Sequence, residues 1–288
     1  MSDMNEQHHL CVIDGSNMLH RAWAMGRPRA RAGDGLEVGA TWLFSQMLVK
    51  LLRRMDAGPV SPSHVAIFFD PPRADSWRRE VSETYKAHRD EMDPVLRAQI
   101  PLMVEACEAI GMAVATAPRH EADDMIAAYT EDAVARGARV SIISSDKDLM
   151  QLVRPRVMQM NAASDTWFNE AGVEKKFGVP AQRVGDFLAL AGDASDGVPG
   201  APGIGPKSAA ALLLEFGDLG ALLGGAERIE RASWRRIITE NREQIRMSRM
   251  LVALDADGAP RPLSERDMRA PTAGFAGRAH QWREDVLT

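Results

Sequence analysis

Short apolar runs that end in a carboxylate recur along the chain. They cover residues 10–13, 65–69 and 140–145, and the acids that follow are Asp14, Asp70 and Asp146. Runs of this length followed by turn residues predict buried strands of a parallel sheet. Each of these strands is expected to end at its acidic residue.

Helical periodicity fills the intervals between these strands. Apolar spacing predicts helices over residues 40–55, over residues 95–110 and from Glu121 onward. Further strand-like pieces cover residues 112–115, 157–160 and 166–168, and a short helical stretch covers 149–153. Strands that alternate with helices predict an α/β domain with a mostly parallel sheet and helices on both faces.

The rest of the chain has a different pattern. Residues 169–254 are helical by their periodicity. Residues 255–288 are rich in Pro, Gly and Arg and are predicted to form an extended tail, to which we assign no chemistry. We therefore expect a catalytic domain over residues 1–168, a helical part over 169–254 and the tail.

In an open parallel sheet, ligands bind beyond the carboxyl ends of the strands. Asp14, Asp70 and Asp146 are all expected at that edge. A single Asp after a strand is also a common turn former. Three in the same position favour a shared site.

More acids surround these strand ends. The stretch from Glu121 to Asp148 begins Glu-Ala-Asp-Asp and ends Asp-Lys-Asp. Acids in a first helical turn also stabilise the helix dipole, but one or two would suffice. Glu121 and Asp124 share a helix face, while an extended backbone would place Asp146 and Asp148 on one side with Lys147 pointing away. So much like charge requires a counter-cation.

Two more carboxylates, Asp193 and Asp196, lie within the helical part. Ligands that are all oxygen select Mg²⁺ or Mn²⁺ over Zn²⁺. We expect seven acids to form an inner group of ligands: Asp14, Asp70, Glu121, Asp123, Asp124, Asp146 and Asp148. Asp193 and Asp196 would complete a second ion site.

Net charge, hydropathy and cysteine content limit the classes of protein to which the chain could belong. The chain of 288 residues has a net charge of −5, but without nine metal-binding acids the remainder carries +4, which permits a basic binding face. No apolar run is long enough to cross a bilayer, and residues 1–9 are polar, so we expect a cytoplasmic protein with no membrane association. Cys11 and Cys107 are isolated, as in a reduced protein core.

Two further segments suit nucleic acid. Residues 75–93 interleave cations with aromatic side chains, which fits a single strand, although a solvated amphipathic helix has the same pattern. Residues 200–208 form a glycine-rich turn before a helix, with Lys207 and Ser208 at the helix start. Such a turn can bind phosphate through backbone N–H groups, or can simply join two helices.

Together these motifs resemble the 5′-nuclease, or flap endonuclease, family. It includes stand-alone bacterial and phage 5′-3′ exonucleases and the N-terminal domain of bacterial DNA polymerase I. The resemblance covers about residues 10–223. The motifs that carry it are Glu121 to Asp124, Ser145 to Leu149, Gly192 to Asp196 and Gly200 to Lys207, in this order.

The resemblance implies a PIN-like α/β domain with a helical arch at about 75–93, followed by a helical part with a helix-hairpin-helix at about 190–215. It also implies two divalent ions and a monovalent cation such as K⁺ at the hairpin. The implied metal ligands are nine acids: Asp14, Asp70, Glu121, Asp123, Asp124, Asp146, Asp148, Asp193 and Asp196.

The family's basic arch maps onto residues 77–89. By resemblance, Lys86 and Arg89, with Arg78 as a further candidate, neutralise the scissile phosphate, and Tyr85 helps to place the terminal base. The duplex would be held by Gly203, Gly205, Lys207 and Ser208. The chain departs from the family at His20, His88 and Gly197, where Tyr, Asn and Asn are usual.

The implied activity is metal-dependent hydrolysis at DNA 5′ ends, flaps and duplex/single-strand junctions, in DNA replication and repair. The chain is too short to include a polymerase domain, so we expect a stand-alone, monomeric nuclease. A haloacid dehalogenase phosphatase needs a second Asp two positions after the first, where this chain has Ser16. A toxin-like PIN ribonuclease is usually shorter and lacks the hairpin. The remaining alternative is a non-catalytic DNA-structure binder, which has no use for nine acids.

Overall fold

The computed structural model of the chain describes residues 8–31, 34–57 and 61–288. Most of the polar N-terminal stretch and the start of the predicted catalytic domain, residues 1–7, therefore lie outside the described residues. No helix within the described ranges is long and apolar enough to cross a bilayer.

Six strands form one sheet in the order β3-β2-β1-β4-β5-β6. They are β1 (His9–Asp14), β2 (His64–Phe69), β3 (Ala113–Thr116), β4 (Arg139–Ile143), β5 (Val157–Asn161) and β6 (Thr166–Phe168). All neighbouring pairs are parallel except β5 and β6. The register sets Asp14 opposite Phe68 and Ile13 opposite Ile143, so the three predicted strands end at the same edge.

Helices cover both faces of the sheet, which confirms the predicted α/β class with a mostly parallel sheet. The helices of this part are α1 (Gly15–Met25), α2 (Gly39–Asp56), α3 (Arg78–Val81), α4 (Pro94–Ile110) and α5 (Ala122–Ala135). One face packs on α1, α2 and α4 through residues such as Phe44 and Ile67, and the other packs on α5 through Phe68 and Ile126. The sheet edge between these layers remains open for a site.

Helix α1 was not predicted, because Gly15, Ser16 and Asn17 have the composition of a turn. In the structure they form the first helical turn. The Oδ1 of Asp14 accepts a hydrogen bond from the backbone N–H of Asn17 at 2.8 Å and so caps the helix. The strand end is therefore also a helix start.

Six helices form the second part. They are α6 (Glu170–Phe177), α7 (Val184–Ala191), α8 (Pro206–Phe216), α9 (Leu219–Gly224), α10 (Ala232–Glu240) and α11 (Arg242–Leu251). Their core includes Leu188, Leu190 and Leu212, and it also takes in Tyr85 and Met150 from the first part. Because the two parts share this core, side chains from both can meet at the sheet edge.

The tail corrects a prediction. Residues 264–270 pack along the N-terminal end of β2, where the N–H of Val65 donates to the carbonyl of Met268 at 2.6 Å. The chain then ends in α12 (Phe275–Leu287), which packs on α2 and α4. Ala279, Trp282 and Leu287 face inward on this helix, a spacing that was too short and too interrupted to be recognised in the sequence.

Candidate active site

The three strand ends converge as predicted, and hydrogen bonds tie them together. The Oδ2 of Asp14 accepts from the Oγ of Ser144, which follows β4, at 2.7 Å. The Oδ1 of Asp70 accepts from the backbone N–H of Ala122, the first residue of α5, at 2.7 Å. The ends of β1, β2 and β4 and the start of α5 thus form one acidic floor.

The Asp146 to Asp148 segment is not extended, contrary to the prediction. Lys147 has helical dihedral angles, and Asp148 begins a 3-10 turn. The Nζ of Lys147 lies 2.6 Å from the Oδ1 of Asp193, so this side chain faces the site instead of pointing away. The turn forms because Asp146 Oδ1 accepts from the N–H of Asp148 at 2.9 Å.

Three acids are close enough to share one cation. Carboxylate oxygens of Asp148, Asp193 and Asp196 all lie within 4.8 Å of one another, and all three residues are buried. The Oδ1 of Asp148 is buried, and none of the residues that the structure describes forms a hydrogen bond with it. An unsatisfied buried anionic oxygen is costly, and a divalent cation held by oxygen ligands would satisfy it. These residues therefore fit a metal ion.

The electrostatics of the floor indicate the same need for a cation. Burial, with help from Asp70 and Asp146, raises the pKa of Asp14 to about 7. Burial and the nearby charge of Asp146 raise the pKa values of Asp123 and Asp148 well above their usual range. Asp70 is exposed to solvent on one side, but protein atoms surround the rest of its carboxylate. This partial removal from water, together with the negative charge of Glu121, raises the pKa of Asp70.

In EDTA, the free energy of unfolding is expected to fall as the pH rises from about 4 to about 7. The pKa of Asp14 is about 4 in an unfolded chain and about 7 in the folded protein. Between these values the folded state holds the proton more tightly, so deprotonation disfavours folding. Glu121, whose pKa is lowered, adds stability until the pH passes its unfolded pKa of 4.5, so it opposes this trend only at the acid end of the range.

The measurement is urea unfolding across this pH range with EDTA or with Mn²⁺. Mn²⁺ should remove most of the fall, and Asp14→Asn should make it smaller, while Asp123 and Asp148, whose pKa values are also raised, keep the rest. Stability that rises through this window in EDTA, in both proteins, would contradict the assignment.

Cations of the predicted arch lie against this acidic floor. The Nζ of Lys86 is 2.6 Å from Glu121 Oε2 and 3.5 Å from Asp196 Oδ2. The Nη2 of Arg89 is 2.5 Å from Asp196 Oδ1. Burial would raise the pKa of Glu121, but Lys86 and Arg78 outweigh it and lower this pKa to about 2. The structure thus brings Lys86 and Arg89 to the site.

The arch itself differs from the predicted helical element. Only Arg78–Val81 of residues 75–93 is α-helical, and the rest forms turns and irregular backbone. The N–H of Lys86, whose φ is +51°, donates to the carbonyl of Asp196 at 2.9 Å. Gly197 makes this approach possible, because a Cβ there would lie 2.8 Å from the carbonyl oxygen of Thr84. The arch is therefore docked on the Asp193–Asp196 loop.

Tyr85 does not present a face to a nucleotide base, contrary to the role carried over from the family. Its side chain is 3% exposed and packs in the core of the second part. Its hydroxyl lies 3.2 Å from Glu121 Oε2 and 3.3 Å from Asp196 Oδ2, to which it can donate. Aromatic residues in a basic segment resemble stacking residues in the sequence, and only packing distinguishes the two.

Arg78 and Asp124 also occupy positions other than those predicted. Arg78 is 2% exposed, and its guanidinium donates to both carboxylate oxygens of Asp124. Asp124 is fully buried, and each of its oxygens already accepts hydrogen bonds from protein donors. Neither side chain is therefore free to meet a phosphate or a metal ion in this structure.

Most of the glycine-rich turn is exposed on the surface. Gly203 has a φ of +90°, which favours glycine. Gly205 precedes the first turn of α8, and Lys207 is exposed on that turn beside the half-buried Ser208. The helix start is thus open to solvent, as the prediction of a phosphate-binding turn requires.

Sequence reasoning missed several residues that organise the site. Ser144 bonds Asp14, and the Oγ of Ser76 donates to Glu121 Oε1 at 2.6 Å. Lys147 pairs with Asp193. Their signal in the sequence is weak, because each is a common polar residue next to a turn.

Two family descriptions match the chain. Residues 9–178 match the 5′-3′ exonuclease N-terminal resolvase-like domain, and residues 179–273 match the 5′-3′ exonuclease C-terminal SAM fold. A solved structure of T5 5′-exonuclease with bound zinc has a TM-score of 0.69, covers 97% of this chain and 98% of that one, and is 18% identical. That similarity supports the fold.

Curated relatives extend the comparison. DNA polymerase I of Rhizobium leguminosarum is 42% identical over 257 residues, which are 88% of this chain but 25% of the polymerase. This chain therefore corresponds to about a quarter of that relative's length. Flap endonuclease Xni of Edwardsiella ictaluri is 35% identical over 251 residues, 86% of this chain and 92% of that protein. With both halves matched and the acidic site assembled, the chain belongs to the 5′-3′ exonuclease family.

Proposed function

We propose that this protein is a metal-dependent, structure-specific 5′-nuclease that hydrolyses phosphodiesters at DNA 5′ ends and flaps. The observation that carries the proposal is the group of buried carboxylates formed by Asp148, Asp193 and Asp196. Among the described residues, the Oδ1 of Asp148 has no hydrogen-bond partner. The cations Lys86 and Arg89 lie beside this group. A full-length relative that carries the name flap endonuclease supports this substrate.

The ligand set favours two divalent ions, Mg²⁺ or Mn²⁺, because every candidate ligand is a carboxylate. Such ions, when bound, lower the pKa of a bound water and stabilise the charge on attacking and leaving oxygens. Asp14, Asp70, Glu121, Asp123 and Asp146 would hold one ion from the strand ends, with Asp148 between the two sites. Asp193 and Asp196 would hold the other ion from the helical part. Asp124 is not included, since the buried guanidinium of Arg78 pairs with both of its oxygens. The bonds of Glu121 instead include one to Lys86, whose side chain is less buried.

Lys86 and Arg89 would bind the scissile phosphate. Both lie where the arch meets the acids, and the Arg89 side chain is 44% exposed, so it can reach a phosphate from the solvent side. Fixed cations aimed at developing negative charge are among the largest contributions to catalysis. Their present carboxylate partners hold them near the reacting position before substrate arrives.

The glycine-rich turn would bind the duplex away from the cut. Gly203 and Gly205 leave backbone N–H groups accessible, and Lys207 adds a charge beside Ser208. Such contacts fix the position of the duplex without reading its sequence. A monovalent cation such as K⁺ at this turn is part of the proposal.

We further propose that the functional units are a catalytic domain over residues 1–168, a DNA-binding helical part over 169–254 and the C-terminal segment 255–288, acting as a monomer in the cytoplasm. The unit boundary is supported by the start of α6 at Glu170. Duplex/single-strand junctions would lie across both units, since acids from both form the site.

The test is cleavage of a 5′-flap DNA by the wild-type protein with Mg²⁺, with Mn²⁺ and with EDTA. We expect products with 5′-phosphates in both metals, none in EDTA, and none with Asp146→Asn. A protein that binds the flap tightly yet leaves it intact in both metals would be a non-catalytic DNA-structure binder.

A further inference from the structure

A buried ion pair joins the arch to helix α5. Arg78 lies in α3, at the base of the arch, and Asp124 lies in the first turn of α5. The guanidinium donates through Nη2 to Asp124 Oδ1 at 2.7 Å and through Nη1 to Oδ2 at 2.8 Å. Paired, parallel bonds of this kind fix both distance and orientation.

The remaining bonds of the pair reach two other segments. Arg78 Nε donates to the carbonyl of Leu251 at 3.0 Å, and Nη2 donates to that of Ala253 at 2.6 Å. Asp124 accepts from the N–H of Asp255 at 2.9 Å and from the indole N–H of Trp77 at 3.1 Å. The pair thus links three segments: the base of the arch, the start of α5 and the chain that follows α11.

Glu121 depends on this arrangement. Its backbone N–H donates to Asp124 Oδ2 at 3.2 Å, and its Oε1 lies 3.9 Å from Arg78 Nη1. Its two carboxylate oxygens meet Ser76 and Lys86, which lie on either side of Arg78 in the arch. A shift of the Arg78–Asp124 pair would therefore displace Glu121 and the arch together.

We propose that Arg78 and Asp124 are positioning residues that fix Glu121 and the arch cations relative to each other, and that neither contacts metal or phosphate. The inference rests on the proposed nuclease function, which it refines. Apolar residues can often replace a buried ion pair without loss of stability. We therefore assign this pair a role in positioning Glu121 and the arch, and not primarily in stability.

The test compares Arg78→Lys, Asp124→Asn, their double variant and the milder Trp77→Phe, which removes one donor to Asp124. The matched control is the pair Arg154–Glu131, also bidentate at 2.8 and 2.7 Å and also anchored on α5. Its variants are Arg154→Lys and Glu131→Gln. For each protein we would measure kcat and KM on a 5′-flap, Mn²⁺ stoichiometry by calorimetry, and hydrogen exchange over residues 76–90.

Each pair variant should lower kcat by about 10- to 100-fold with little change in KM, as for other residues that orient metal ligands. The kcat of the double variant should be no more than about threefold below that of the less active single variant, because both substitutions break the same ion pair. Trp77→Phe should give a smaller loss in the same direction. Mn²⁺ stoichiometry should be unchanged, exchange in the arch should be faster, and the control variants should match wild type.

Three results would overturn the inference. Loss of one Mn²⁺ in Asp124→Asn but not in Arg78→Lys would make Asp124 a ligand. A lower melting temperature with unchanged kcat and arch exchange would make the pair merely structural. Additive losses in the double variant would separate the two roles. An inactive wild-type protein would instead refute the proposed function, while Mn²⁺ binding and hydrogen exchange would still test the positioning role.

Discussion

Replacement of Asp148 by Asn is expected to reduce flap cleavage by about a thousandfold or more, equivalent to about 4 kcal/mol of transition-state stabilisation. The reason is that Asp148 lies between the strand-end acids and the Asp193–Asp196 loop, and its Oδ1 has no hydrogen-bond partner within the described part of the chain. Asn preserves the shape of the side chain but removes the charge that binds a cation. Single-turnover cleavage in Mg²⁺ measures the loss, and Mn²⁺ calorimetry should show one ion fewer.

The same replacement is expected to stabilise the protein in EDTA. Burial and neighbouring acids raise the pKa of Asp148 well above its usual range, so keeping it ionised at neutral pH opposes folding. A gain of about 1 kcal/mol would raise the melting temperature by about 2 °C in a chain of this size. Activity and stability should therefore change in opposite directions.

The exposed Asp257 provides a matched control. Asp257→Asn should change neither cleavage nor melting temperature, because this side chain is outside the acidic group. If Asp148→Asn lowers the melting temperature in EDTA and leaves Mn²⁺ stoichiometry intact, Asp148 is not a metal ligand.

Replacement of Lys86 by Ala is expected to slow the chemical step by about 10²- to 10³-fold, as for other groups that stabilise transition-state charge. The affinity for flap DNA should change by no more than about threefold, since one phosphate contact is a small part of nucleic-acid binding. The Lys86 side chain is 11% exposed and points at Glu121 and Asp196, so it is placed for the reacting phosphate and not for a distant strand.

Lys207→Ala gives the converse control. Lys207 is exposed on the first turn of α8. Its loss should weaken binding across DNA sequences and reduce the salt dependence of binding by about one unit of slope, with kcat unchanged. Equal losses of binding and cleavage in Lys86→Ala would make Lys86 a docking residue only.

Much of the site could be predicted from local pattern. Apolar runs that end in Asp14, Asp70 and Asp146 predicted three strand ends at one edge, and the register of β1, β2 and β4 places them there. This worked because parallel strands in an α/β sheet must end on the same side, so one-dimensional order already implies proximity.

Several of the predictions that need correction concern side-chain direction. Lys147 was expected to point away, but a 3-10 turn brings it to Asp193. Tyr85 was assigned to a nucleotide base, but it is buried against Glu121. In each case the residue type suited the predicted role, whereas the backbone conformation or a packed core determined the actual contact.

The sequence by itself determined the fold class, the acidic sheet edge and the order of the motifs, because periodicity and strand ends depend on neighbouring residues. Only the tertiary structure decided that Asp148 groups with Asp193 and Asp196, and that Asp124 binds Arg78. Both outcomes depend on contacts between segments 45 or more positions apart, which the folded core brings together. A carboxylate becomes an ion ligand or a salt-bridge partner according to which group that packing places beside it.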